Sequence, residues 1–172
     1  MIMMFLCVPL IFFADAFCAE LSPIYYSKSN MSNDSKSIDF QNERAEELNK
    51  KMFIDQFFSY LSYLGNPENK IDVDSLQGYL NNECIIESNN EILCRGIFEF
   101  IAYIDRMQQK YESVIYSNFL EDPVIKGEKA KIHFQVHCID KTGQQRDLDA
   151  KAILTIQNGK ISYWKEVFQD IQ

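Results

Sequence analysis

Polar and apolar residues alternate through the last third of this chain. Ile132, Phe134, Val136 and Cys138 interleave with Lys131, His133, Gln135 and His137, the period of two that marks a half-buried strand. After the turn-forming Lys141-Thr142-Gly143-Gln144, the alternation resumes at Leu148, Ala150, Ala152, Leu154 and Ile156. Asn158-Gly159 predicts a two-residue hairpin, because both central residues of a type I′ turn need positive φ. A closing strand runs from Lys160 to Phe168. The stretch from Val114 to Ile171 therefore reads as an antiparallel meander.

The period is different upstream. Ala45, Leu48, Met52, Phe53, Phe57, Tyr60, Leu61 and Leu64 recur at steps of three and four, which predicts one long helix from about Asp39 to Leu64. Gly65-Asn66-Pro67 ends it, with Gly suited to a left-handed cap and Pro unable to continue the ladder. A short second helix is expected from Asp72 or Asp74, either able to cap it, burying Val73, Leu76 and Leu80. Cys84–Glu87 and Glu91–Cys94 look like two short strands around Ser88-Asn89-Asn90. A third helix follows from Gly96 to about Gln109, with Ile97, Phe98, Ile101, Ile104 and Met107 as its inner stripe. Helices first and a meander last give an α+β fold, with three helices packed on one face of a curved antiparallel sheet.

Met1 to Phe13 is almost wholly apolar, and small residues follow at Ala14, Ala16 and Ala19. That run is shorter than the roughly 20 residues a bilayer span needs, and it matches the core of a signal peptide. Residues 1–18 are thus expected to be a signal peptide, with periplasmic or secreted localisation and no stable membrane span. The start carries no Lys or Arg, so an uncleaved anchor or a misplaced start codon is the alternative. Residues 19–38, rich in Ser, Asn and Lys, read as a flexible spacer, since so little apolar content does not offset the entropy of ordering. Residues 39–172 are long enough for one core. A formal charge of −8 without a basic run argues against nucleic acid as a partner.

Cys84, Cys94 and Cys138 remain after the first eighteen residues. Their spacing is not that of a zinc site, and nothing else calls for a metal or cofactor. In a hairpin centred on Asn89, Cys84 and Cys94 would face each other, with Cβ atoms about 4.5–5.5 Å apart. An exported protein would be able to oxidise that pair, and two small buried thiols are the alternative.

The order of elements, Cys94-Arg95-Gly96-Ile97-Phe98-Glu99-Phe100-Ile101, and Asn158-Gly159-Lys160-Ile161-Ser162-Tyr163-Trp164-Lys165-Glu166-Val167-Phe168 together resemble the nuclear transport factor 2-like (NTF2-like) superfamily and its SnoaL-like group. The resemblance implies a cone of curved sheet around an apolar cavity, and a homodimer through the outer sheet face. It also implies that ketosteroid isomerases would place their base near Ser88 and their oxyanion-hole acid near Ala152. Neither residue type performs that chemistry, although Glu87 adjoins the first position. Epoxide hydrolases of this fold need an Asp-Arg-Asp set, whereas Arg95, Arg106 and Arg146 sit where surface or cap roles suffice.

On the same resemblance, Trp164, Glu166 and Phe168 face the concave side, joined by Phe57, Tyr60, Phe98 and Phe134 as pocket residues. Glu166, with Tyr60, is the best catalytic candidate, because burial raises a carboxyl toward a useful acid–base range. The alternative is a Glu paired to a base at the cone mouth. His133 and His137 fall on the outer face. The leading expectation is a non-catalytic exported protein that binds a small apolar ligand or a protein partner in or around its cone. A lyase, isomerase or cyclase using Glu166 is the alternative, and an envelope assembly component comes last.

Overall fold

The computed structural model describes residues 33–171, with side chains from residue 41 onward except that of Asn118. The expected signal peptide and most of the spacer lie outside them. From Asn33 the backbone is helical. Ile38–Gln172 forms one compact unit. Within the described residues, no helix is long and apolar enough to cross a membrane.

Helix α1 (Asn33–Leu64) turns Ile54, Phe57, Phe58, Leu61 and Leu64 into the core. Leu48 and Met52 are exposed, a correction to the expected stripe. The inward face of α1 runs through Ile54, Phe57, Phe58, Leu61 and Leu64 at steps of three and four, which leaves Leu48 and Met52 on the outer side. Gly65 ends the helix without positive φ. Its smallness serves a close approach instead, since a Cβ there would lie 1.8 Å from the Val114 carbonyl oxygen.

Helix α2 (Val73–Tyr79) is capped by Asp72, which accepts from the Ser75 amide. Leu76 is buried and Val73 is not. Strands β1 (Leu80–Ser88) and β2 (Glu91–Arg95) form the small hairpin, turned by Asn89 and Asn90 at φ 50° and 65°. Helix α3 (Gly96–Lys110) buries Ile97, Phe100, Ile104 and Met107. Strands β3 (Tyr111–Phe119), β4 (Val124–Lys126), β5 (Lys129–Asp140), β6 (Gln145–Gln157) and β7 (Lys160–Asp170) follow. Asn158 and Gly159 adopt the positive φ expected of their hairpin, at 53° and 72°.

The main sheet order is β2-β1-β7-β6-β5-β3, with β4 paired to β5. It is mixed, not antiparallel throughout, because β1 runs parallel to β7. Strand β2 and helix α3, between β1 and the meander, carry the chain to the far edge, so the last strand enters beside the first in the same direction. Curling of this sheet around α1 and α3 makes the cone, and aromatic rings fill it. Phe58 meets Phe134 at 4.7 Å between centroids, and Trp164 meets Phe57 at 5.6 Å and Phe100 at 6.4 Å.

Candidate functional site

Strand alternation decides what faces inward on β7. Ile161, Trp164 and Glu166 are buried, with Phe168 half-buried against the core. On the opposite face, Tyr163 donates to Glu87 Oε2 at 2.6 Å and Lys165 pairs with Glu87 Oε1 at 3.0 Å. Glu166 lies at the meeting of three strands, level with Ser88 on β1 and Ala152 on β6. It therefore stands between the two positions that the family resemblance reserves for an isomerase's carboxyl groups. Ala152 and Ala150 oppose Glu166 and Phe168, so the β6 side of the sheet beside the carboxyl carries only methyl groups, while β1 brings the Ser88 hydroxyl.

The tip of the small hairpin fixes this stretch. The Asn89 amide donates to the Glu166 carbonyl at 3.0 Å, and Asn89 Oδ1 accepts from the Phe168 amide at 3.0 Å. Those bonds hold the backbone on both sides of the Glu166 side chain.

Glu166 is 4% exposed and is the one buried charged residue among those described. Burial pushes it up from 4.5 to about 8, so at neutral pH it carries its proton. The Ser88 hydroxyl and the Trp164 indole favour the carboxylate and offset only part of that rise. Neither closes a well-formed bond to Oε2. Glu166 Oε2 and Trp164 Nε1 both lack a hydrogen-bond partner among the described residues. A buried polar atom without a partner costs on the order of 1–3 kcal/mol, so a pair of them on one strand face needs an explanation. Tyr103 on α3 and Tyr116 on β3 both feel the Glu166 charge, and burial pushes both phenols up. Both still keep accessible surface.

Phe57, Phe134 and Trp164 lie in the aromatic interior as expected. Phe98 does not: it is 80% exposed. The inward stripe of α3 runs through Ile97, Phe100, Ile104 and Met107, which turns the neighbouring Phe98 to solvent. Tyr60 is also elsewhere. Its hydroxyl donates to the Asp72 carbonyl at 3.3 Å, and its ring stacks between Tyr63 and Tyr79. It lines an open surface depression of about 410 Å³ with Tyr63, Lys70, Asp72 and Ser75, none of them on β7. The structure therefore does not bring Tyr60 to Glu166. Sequence reasoning missed Phe58, Phe100, Tyr103 and Tyr116. The i, i+3 steps from Ile97 to Phe100 and Tyr103, and the alternation of Val114 with Tyr116, were the available signals.

The cysteine pairing also changes. A bulge after Ile86 shifts the hairpin register, so Cys94 stands opposite Ile86 and Cys84 has moved beyond it. Cys84, Cys94 and Cys138 are buried free thiols. Burial pushes Cys84 up to about 11 and Cys94 up to about 12. His133 and His137 lie on the outer face, where they meet Asp149 and Asp147 of β6. Arg146 forms a two-point ion pair with Asp170, and Arg95 and Arg106 are exposed, so no arginine attends Glu166. The described residues hold no cluster of three His, Cys, Asp or Glu fit for a metal ion.

No protein-family model matches the chain, and no curated protein matches it. Solved structures do. An NTF2-like protein of unknown function from Exiguobacterium is 18% identical, covering 69% of this chain and 99% of its own, with a TM-score of 0.54. An NTF2-like protein from Anabaena variabilis is 13% identical over 70% of this chain and 90% of its own, at 0.56. An LEH-like epoxide hydrolase from M. tuberculosis is 15% identical over 71% and 84%, also at 0.56. The fold is that of NTF2-like proteins, some of which are enzymes while others have no known function. At such identities the fold is what is shared.

Proposed function

We propose that this is an exported NTF2-like protein whose cone binds a small, largely apolar ligand carrying one hydrogen-bonding group, without transforming it. The observation that carries this reading is the unpartnered pair, Glu166 Oε2 and Trp164 Nε1, at the polar end of an aromatic interior. Neither atom closes a well-formed bond within the protein, although the Trp164 indole acts on the carboxyl, and a ligand that bonds to both would satisfy them. A turnover reading needs a second acid or base near Glu166. Tyr60 is committed to Asp72, the isomerase positions hold Ser88 and Ala152, and burial raises the Tyr103 and Tyr116 phenols that feel Glu166.

Trp164 is the sole tryptophan, so its fluorescence reports the site directly. Titration with neutral 3-phenylpropan-1-ol is expected to shift or quench that emission saturably, and Trp164 emission indifferent to this alcohol would count against the reading. Export is proposed from the apolar start, and the mature chain should begin at Phe17 or Ala19. Amino-terminal sequencing that returned Met1 or Ile2 would overturn it. A homodimer is proposed through the outer sheet face, where His133 and His137 lie. The catalytic alternative, a lyase, isomerase or cyclase, is favoured by one observation, the Glu166 carboxyl held near 8. It requires turnover that Glu166→Gln abolishes.

A further inference from the structure

We propose that the open depression between the end of α1 and the start of α2 is a second binding site, for a neutral hexopyranose ring laid against Tyr63. It is separate from the cone and does not depend on the cone reading. The first ground is a column of rings that climbs from the core to the surface. Fully buried Phe57 meets Tyr79 at 5.5 Å between centroids, Tyr79 meets Tyr60 at 5.5 Å, and Tyr60 meets Tyr63 at 5.9 Å. The last two pairs are stacked, with interplanar angles of 23° and 14°. Tyr63 ends the column: it is 50% exposed, and Tyr60 is its one ring neighbour among the described residues. The core thus holds an aromatic ring in place at the surface, so little side-chain freedom is left to lose when a ligand covers it.

The second ground is the rim. Tyr60, Tyr63, Lys70, Asp72 and Ser75 line a space of about 410 Å³, within the range of small-molecule sites. Ser75 donates from its hydroxyl and its amide to Asp72 Oδ2, which with the Asp74 amide holds the carboxyl below its ordinary value and ionised at neutral pH. A carboxylate has about four acceptor sites, which leaves capacity for a ligand hydroxyl, and hydrogen bonds to a charged acceptor are the stronger kind. Exposed Lys70 has no ion-pair or hydrogen-bond partner among the described residues.

The third ground is that the loop carrying Lys70 and Asp72 is already held. Gln108 Nε2 on α3 donates to the Leu64 and Asn69 carbonyls at 2.8 and 3.1 Å, and Asn69 Nδ2 donates to the Tyr63 carbonyl at 2.8 Å. The Tyr60 hydroxyl ties the column to the same loop through the Asp72 carbonyl. These features select the ligand. One acid and one base leave the depression neutral, and a chain at −8 disfavours an anion. A hexopyranose carries C–H bonds on its faces and hydroxyls around its edge. The C–H bonds present positive charge to the negative face of a tyrosine ring, while the hydroxyls suit the Asp72 carboxylate and the Lys70 ammonium.

The test uses the full chain with methyl β-D-glucopyranoside, read by saturation-transfer NMR on the sugar and by titration of the protein's chemical shifts. Saturable binding is expected with a Kd on the order of 1 mM, with transfer strongest to the axial protons of one ring face. Tyr63→Ala should weaken it about tenfold or more, whereas Phe98→Ser, which removes another exposed ring, should leave it unchanged. Asp72→Asn keeps a side chain able to cap α2 and should still weaken binding about threefold or more. Absence of transfer at about 20 mM glucoside, uniform transfer to every ring proton, or equal affinity in Tyr63→Ala overturns the proposal. So does phenylalanine, a zwitterion that Lys70 and Asp72 would also suit, if it binds as tightly as the glucoside.

Discussion

A carboxyl group sealed among aromatic rings parts with its proton only against folding free energy. Glu166 is raised from 4.5 to about 8, so its neutral form is the one the fold favours. The stabilising effect is complete below about 4.5 and is lost as pH rises to about 8. Across that window the wild type should lose up to roughly 1.4 kcal/mol per pH unit relative to Glu166→Gln. Urea titrations of both proteins at pH 4, 6 and 9 check this; parallel pH profiles would show Glu166 to be solvated or paired. The α3 stripe gives a sharper contrast. Phe100→Ala should cost about 3–5 kcal/mol, and Phe98→Ser should stay within about 0.5 kcal/mol, both read from chemical denaturation. The thiols follow the same logic, since only thiolate reacts and Cys84 and Cys94 are held at about 11 and about 12. Native protein at pH 8 should resist iodoacetamide at both positions and accept it after denaturation, with intact mass as the readout.

At the scale of elements, the strands were legible and the helix faces less so. Period-two alternation survives whatever packs above it, so β5, β6 and the Asn158-Gly159 hairpin stand where the sequence put them. A helical face depends on what covers it. Leu48 and Met52 fit the stripe of α1 but stand on its outer side, away from the line of Ile54, Phe58 and Leu61, and Phe98 sits one residue away from the true line of α3. The hairpin register was hidden for a different reason: a bulge after Ile86 has no clear signature in Cys84–Cys94. Glu166 was found because the family resemblance set the concave face of the closing strand and strand parity carries that face from Trp164 to Glu166. Tyr60 was misplaced because its ring stacks on Tyr63 and Tyr79 beside the Asp72 cap of α2. Gly65 shows the same limit, read as a cap when it is a contact with β3. Its amide and carbonyl both bond, to the Leu61 carbonyl and the Val114 amide. Gly65→Ala should destabilise by about 1–3 kcal/mol or more, measured by thermal unfolding, because the Val114 backbone has to move.

For the molecule as a whole, the parallel pairing of β1 with β7 decides the order in which structure becomes available. β7 is the third strand in the sheet order yet follows all the others along the chain. Until it is present, the sheet is two separate pieces, the β1–β2 hairpin on one side and β3, β5 and β6 on the other. A nascent chain emerging from the ribosome therefore cannot close its cone early, whatever its local propensities, because the joining strand is synthesised after both halves. The same strand that carries Glu166 thus keeps the domain open until synthesis has passed Asp170.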